Sequence, residues 1–341
     1  MIIVARRASA ILYNILLGQS DDRPFILPAN VCPVVPLVFL KAGRTLELVD
    51  ISPDSYCLDD QIVLEKVAKN PDGYSGILFV RTYGIAANPD RLFGRIKELS
   101  PDLLVIDDKC LCVPEVKDAK ESAADLELFS TGYSKYMDLG WGGFAYADEG
   151  FTYEPRRAPY DERALESLTA QVKVALSTRR AFAYQDSDWL DLSTPEMTVD
   201  EYFAKITLGL PTARQHKERV NAVYRSNLPQ EIESVNDGHV WRYNILVPDR
   251  DRLLATIFAR GLFASSHYAS LGGVISEGRF NSAEGLHRRV VNLFNDFRFN
   301  EEKALRVCEI VRDHVSAAAE SETRTANARA AGGLRAGADG A

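Results

Sequence analysis

Between residues 8 and 147, short uninterrupted apolar runs alternate with stretches of helical periodicity, and this alternation constrains the fold more than any other feature of the chain. Gly76-Ile77-Leu78-Phe79-Val80 and Leu103-Leu104-Val105-Ile106 have strand length and no polar face, the pattern of strands covered on both sides. The amphipathic stretch from Pro89 to Leu99 lies between them, which is the grammar of a βαβ unit. Phe25-Ile26-Leu27 and Thr45 to Val49 read as further strands. Ala8 to Leu17 reads as a helix ended by Gly18, and Val34 to Leu40 as another helix. Leu126 to Phe129 and Gly143 to Ala147 are two strands with only a loop between them, so the expected α/β sheet is mixed and mostly parallel.

The middle of the chain is charged and helical, from Tyr160 to about Tyr184 and from Thr198 to about Leu228. Thr198-Val199-Asp200-Glu201 fits a capping box, and Pro211 predicts a kink in the second helix. Beyond it, His239 to Val247 reads as a strand and Asp249 to Arg260 as a helix ended by Gly261. Leu286 to Phe294 is a mixed segment, and Asn300 to Val315 a closing helix. The expected organisation is a large domain over 1–230 with a helical extension, a small C-terminal α+β domain over 231–315, and a disordered tail over 316–341. That tail is rich in Ala and holds a single large aliphatic, Leu334.

Composition narrows the partners. With 40 Lys and Arg against 48 Asp and Glu, the net charge of -8 has the wrong sign for a phosphate-backbone binder, so no nucleic-acid partner is expected. No apolar run approaches the ~20 residues of a membrane span, and Arg6-Arg7 follow Met1-Ile2-Ile3-Val4 with no cleavage site, so neither a membrane partner nor a secretory signal is expected. Cys32, Cys57, Cys110, Cys112 and Cys308 are odd in number and scattered, which suits free thiols in a reducing, cytoplasmic compartment. Cys110-x-Cys112 lacks a second pair at zinc spacing, and no metal site is expected.

Gly-x-Gly-x-x-Gly, a Gly-Lys-Ser/Thr phosphate loop and Gly-x-Ser-x-Gly are all missing, and the five histidines show neither metal-type nor triad-type spacing. What remains is the acidic pair Asp107-Asp108 at one strand end, where open α/β sheets place ligand-binding groups, and Lys135 in Ser130-Thr131-Gly132-Tyr133-Ser134-Lys135, followed by Gly142-Gly143. Alone, these residues are weak evidence, since such a lysine is an ordinary solvated surface residue about nine times in ten.

Their order along the chain resembles the fold-type I pyridoxal phosphate (PLP) enzymes, and most closely the DegT/DnrJ/StrS family of sugar aminotransferases. Leu27-Pro28, Lys41-Ala42-Gly43 and Val49-Asp50-Ile51 resemble the family's first large-domain segment. Val80-Arg81-Thr82-Tyr83-Gly84 resembles its Val-His-x-Tyr-Gly turn, Val105-Ile106-Asp107-Asp108 its Val-Ile-Glu-Asp, and Ser130 to Lys135 its Ser-x-x-x-x-Lys. Arg250-Asp251, Gly261-Leu262 and His267-Tyr268 follow in the family's order. The resemblance spans residues 8 to 315 and is weakest between 150 and 230.

It implies a fold-type I transferase and a specific division of labour. Lys135 would condense with the cofactor aldehyde and afterwards shuttle a proton. Asp108 would pair with the pyridine nitrogen, and Asp107, pointing the other way, would be structural. Ser130 would hold the phosphate together with Ser9 and Ala10, where a helix N-terminus offers free N–H groups. Cys32 occupies the position of the aromatic ring that usually covers the cofactor face. Arg242, His267 and Tyr268 are the candidates for substrate contact. The implied partners are a small-molecule amino donor, a keto sugar, nucleotide-linked in the family, and a second copy of the chain in a homodimer.

The chain departs from the pattern in four places. Cys32 supplies no ring, Leu111 replaces the Gln or His near the cofactor hydroxyl, and no Gly-Tyr-Asn-x-Arg segment stands between Asp188 and Met197. Arg6-Arg7 immediately precede the phosphate motif. Retention of Lys135 argues against the branch that dehydrates sugars, so transamination is the expected chemistry. A PLP reaction of another type on an amino acid, and a non-catalytic homologue, are the alternatives.

Overall fold

The computed structural model describes residues 1–19, 21–86, 88–234 and 240–336, with side chains as far as residue 320. Among these residues two sheets form. The larger is seven-stranded, built from β1 (Ile2–Ala5), β2 (Phe25–Pro28), β3 (Leu46–Val49), β4 (Gly76–Val80), β5 (Leu104–Asp108), β6 (Leu126–Ser130) and β7 (Gly143–Ala147) in the order β1-β7-β6-β5-β4-β2-β3. The neighbours from β3 to β6 pair in parallel, while β7 runs antiparallel to both β6 and β1. The mixed, mostly parallel sheet is therefore as the alternating runs predict. β1 was not expected, nor was the helix α3 described next.

Strand alternation sorts the side chains into two layers. Leu78 and Val80 of β4, with Leu104 and Ile106 of β5, pack against α1 (Ala8–Gly18) and α2 (Val34–Lys41). Ile77, Phe79 and Val105 face the other way, onto α3 (Asp60–Lys69) and α4 (Asp90–Leu99). Because successive side chains in a strand point to opposite faces, Asp108 must share the α1/α2 side with Ile106, and Asp107 must share the opposite side with Val105. There Asp107, fully buried, accepts two hydrogen bonds from the Arg81 guanidinium at 2.8 and 2.7 Å. Burial opposes the Arg81 charge, but the paired carboxylate outweighs it and raises the arginine's pKa.

The charged middle forms α5 (Glu162–Thr178) and α6 (Val199–Asn227), and the capping box at Thr198 is present in full. α6 passes Pro211 without a break in its helical course. The second sheet, ordered β8-β10-β9 and antiparallel, consists of β8 (Tyr243–Leu246), β9 (Ala264–Ser265) and β10 (Val290–Leu293). Its core meets Val220 and Tyr224 of α6, Leu253 and Ile257 of α7 (Arg250–Ala259), and Val307 and Val311 of α9 (Glu301–Ala336). The strand expected from His239 shortens to Tyr243–Leu246, with residues 235–239 outside the described set. The mixed segment resolves into the end of α8 (Asn281–Arg289) followed by β10. α9 does not stop at Val315 but continues to Ala336, although none of residues 316–320 is buried. The Ala-rich composition favours helix in that stretch. Residues 337–341 of the expected tail lie outside the described set.

Gly142 and Gly143 have a packing reason. Gly142 is at φ +100°, a conformation that side chains disfavour, and a Cβ on Gly143 would collide with the backbone of Ala8 and sit 2.7 Å from the Arg7 carbonyl carbon. The start of α1 thus lies directly on β7. Gly143→Ala should destabilise the chain by about 1–3 kcal/mol, because backbone rather than a movable side chain would have to give way. Urea denaturation of the purified variant measures this, and an unchanged midpoint would contradict the close packing.

Candidate active site

Lys135 is delivered by a loop whose geometry is fixed residue by residue. β6 ends at Ser130, whose hydroxyl accepts the Gly132 N–H at 3.2 Å and donates to the Gly142 carbonyl at 3.4 Å. Thr131 Oγ1 bonds the Trp141 carbonyl at 2.8 Å and the Tyr202 hydroxyl at 2.6 Å. Ser134 takes a left-handed conformation (φ 58°), which costs a non-glycine residue energy and must be held from outside. Two bonds hold it: its N–H donates to Asp138 at 2.9 Å, and its carbonyl accepts the Trp241 indole N–H at 2.6 Å.

This loop directs Lys135 into a cavity of about 310 Å3, which Asp108, Ser130, Ser9, Cys32 and Tyr268 also line. The volume is at the lower end of the ~300–1,000 Å3 range of small-molecule sites. Lys135 makes no side-chain hydrogen bond or ion pair with any described residue. Asp108 is buried, one carboxylate oxygen accepts the Cys110 N–H at 2.9 Å, and the Cys110 thiol also bonds the carboxylate. A buried carboxylate and an unpaired amine that line one cavity are an arrangement that a polar occupant would complete.

One corner suits an anion. Arg7 is the N-cap of α1, extended and without a side-chain cap, and its guanidinium donates to the Gly140 carbonyl at 2.9 Å. Arg7 Nη1 and Ser130 Oγ converge on Gly132, at 3.7 and 3.4 Å from where its Cβ would be. Ser9 lies in the first turn at the cavity edge, so a helix N-terminus, a hydroxyl and a guanidinium meet there. Ala10 does not contribute as expected. It is buried away from the cavity lining, and its N–H donates to the Arg7 carbonyl at 3.1 Å, so it is not free for an anion.

The remaining wall is apolar, supplied by Val31, Val34, Val35 and Val38 around α2, by Val80, and by Leu111 where a polar side chain was the family expectation. Burial pushes the Cys32 thiol up, with the nearby Lys135 amine opposing, and pushes Cys110 up further, with Asp108 adding to the effect. Both shifts disfavour the thiolate, the form in which a cysteine acts as a nucleophile. All five cysteines are free, and no group of metal-ligating side chains occurs among the described residues.

Of the three expected substrate contacts, only Tyr268 reaches the cavity. Arg242 is buried behind it, its guanidinium 4.3 Å from the centre of the Trp241 ring and 3.7 Å from that of Phe294, and burial lowers its pKa to about 10. The His267 ring sits against Trp241 at 5.7 Å, and burial together with Arg242 lowers its pKa to about 4, so it is neutral near pH 7. Sequence reasoning missed Trp241, whose role in holding Ser134 is a contact between residues 107 positions apart that leaves no local pattern. It also left unremarked the valines of α2, whose placement in an unbroken apolar stretch was the available signal.

No helix among the described residues is long and apolar enough to cross a membrane. No protein-family model and no curated protein matches the chain. Solved structures do. A DegT DnrJ EryC1 StrS aminotransferase from Brucella abortus is similar at 16% identity and a TM-score of 0.63, over 92% of this chain and 86% of that one. DesI, solved in the presence of its TDP-sugar product, gives 17% and 0.66 over 95% and 83%. The sugar aminotransferase CalS13 from Micromonospora echinospora gives 15% and 0.62 over 92% and 87%. Strand order, cavity position and these likenesses agree on one architecture: the chain has the fold of the fold-type I PLP-dependent aminotransferases.

Proposed function

We propose that this protein is a PLP-dependent aminotransferase that moves an amino group from a small amino-acid donor to a keto sugar, nucleotide-linked, in a biosynthetic pathway. The observation that carries the reading is the opening of the unpaired Lys135 amine and the buried Asp108 carboxylate into one cavity, beside an anion-suited corner. The residues fit the group: Asp108 would face the pyridine nitrogen, and Ser130, Ser9, Arg7 and the start of α1 would take the phosphate. PLP, when bound, supplies an electron sink for charge developing on the substrate carbon. Lys135 Nζ would anchor the cofactor and then carry a proton to and from that carbon. Asp108 would keep the ring nitrogen protonated, and the valines around α2 would exclude water. The sugar aminotransferase neighbours, among them one solved with a TDP-sugar product, support a sugar acceptor.

The reading includes a cytoplasmic homodimer. The free thiols fit a reducing compartment. Val174 of α5 and Leu208 of α6, 61% and 79% exposed, are apolar side chains that a second copy would cover. A non-transaminating PLP reaction on an amino acid is a second reading, favoured by Leu111 and Cys32 where the family contacts the cofactor.

Absorbance of the purified protein with PLP, before and after an amino donor is added, tests the proposal. Conversion of the bound cofactor to its amine form, followed by recovery with a keto sugar, is expected. A bound cofactor that changes colour without net amine transfer would select the second reading, and no cofactor binding would overturn both.

A further inference from the structure

The cofactor reading leaves one physical gap. Val31, Cys32 and the α2 valines give the cavity an aliphatic wall, and a planar heteroaromatic ring gains most from an aromatic face. Two aromatic side chains line the cavity among the described residues, and they differ sharply: Tyr133 is 68% exposed at the rim, whereas Tyr268 is 9% exposed. Tyr268 is also held in place. The Leu271 N–H donates to the Ala29 carbonyl at 2.8 Å, which ties the segment carrying Tyr268 to the loop that carries Cys32. The Trp241 ring runs nearly parallel to Tyr268, 11° apart with centroids at 6.5 Å. Trp241 is itself pinned through its indole to Ser134, and its carbonyl accepts the buried Lys217 amine at 2.9 Å.

We propose that Tyr268, from the C-terminal part of the chain, is the aromatic wall of the cofactor ring, supplying the ring that Cys32 lacks. This rests on the PLP reading. The framework that sets the Tyr268 ring is the one that holds Ser134 beside Lys135, so ring and amine are positioned together.

The test is PLP affinity of the apoprotein, measured by titration with fluorescence and absorbance, with far-UV circular dichroism to confirm folding. Tyr268→Ala should weaken binding about tenfold or more, equivalent to about 1.4 kcal/mol, while Tyr268→Phe should stay within about threefold of the parent protein. Adding Cys32→Tyr to Tyr268→Ala should restore binding by returning a ring to the cavity lining. Parent-like affinity of folded Tyr268→Ala, or a loss in Tyr268→Phe equal to that in Tyr268→Ala, would overturn the assignment. Failure of the parent protein itself to bind PLP would instead overturn the functional reading.

Discussion

Lys135→Ala is expected to lower the rate of amine transfer by about 10²–10⁴-fold, the usual contribution of a positioned proton-transfer group, while the fold is retained. Lys135 is half-buried and unpaired, so its removal leaves no orphaned partner and creates little cavity. The effect should therefore fall on chemistry and on covalent capture. Borohydride reduction of the PLP-loaded parent protein should add cofactor mass to the peptide containing Lys135, and the variant should show no such adduct. Labelling of another lysine in the parent protein would move the reacting amine elsewhere. Lys217 is the informative internal control: burial lowers its pKa to about 7, yet it donates to the Trp241 and Asn295 oxygens and lies outside the cavity lining.

The largest loss of stability is expected on the opposite face of the sheet. Arg81→Met would leave the Asp107 carboxylate buried without its guanidinium, and removing one member of a buried pair costs about 3–5 kcal/mol. The pH dependence has a definite sign. An unpaired buried carboxyl has a folded-state pKa above its unfolded value, so the variant binds more protons folded than unfolded, and its stability falls as pH rises through that window. The deficit relative to the parent protein should be largest at neutral pH and shrink on acidification. Arg81→Met with Asp107→Leu should recover most of it. Urea midpoints at neutral and mildly acidic pH distinguish these outcomes, and a deficit independent of pH would contradict a charge-based cause.

Much of this organisation could be read in the sequence because the strands of a doubly covered sheet must be continuously apolar. β4 and β5 announce themselves in that way, and pleat alternation then separates Asp108 from Asp107 before any contact is known. β1 escaped notice because four residues beside Arg6-Arg7 carry little periodicity, and their partner β7 lies more than a hundred residues away. α3 was missed although Asp59 caps it, since its buried face is reduced to Val63 and Val67. Lys135 and Asp108 stand out as residues at strand ends, but their shared role was reached only through resemblance. Spacing cannot say that two strand ends open into one cavity. The same limit explains Arg242 and His267, which neighbour Tyr268 in sequence or in space but face the Trp241 cluster instead.

Tyr268 lines a cavity otherwise built by the first 140 residues of the chain, so an occupant that fills that space would bridge two distant parts of the sequence. Such an occupant acts as a rivet. Amide hydrogen exchange on loading should slow not only around the start of α1 but also in the stretch from β9 to α8, two regions that the sequence itself keeps far apart.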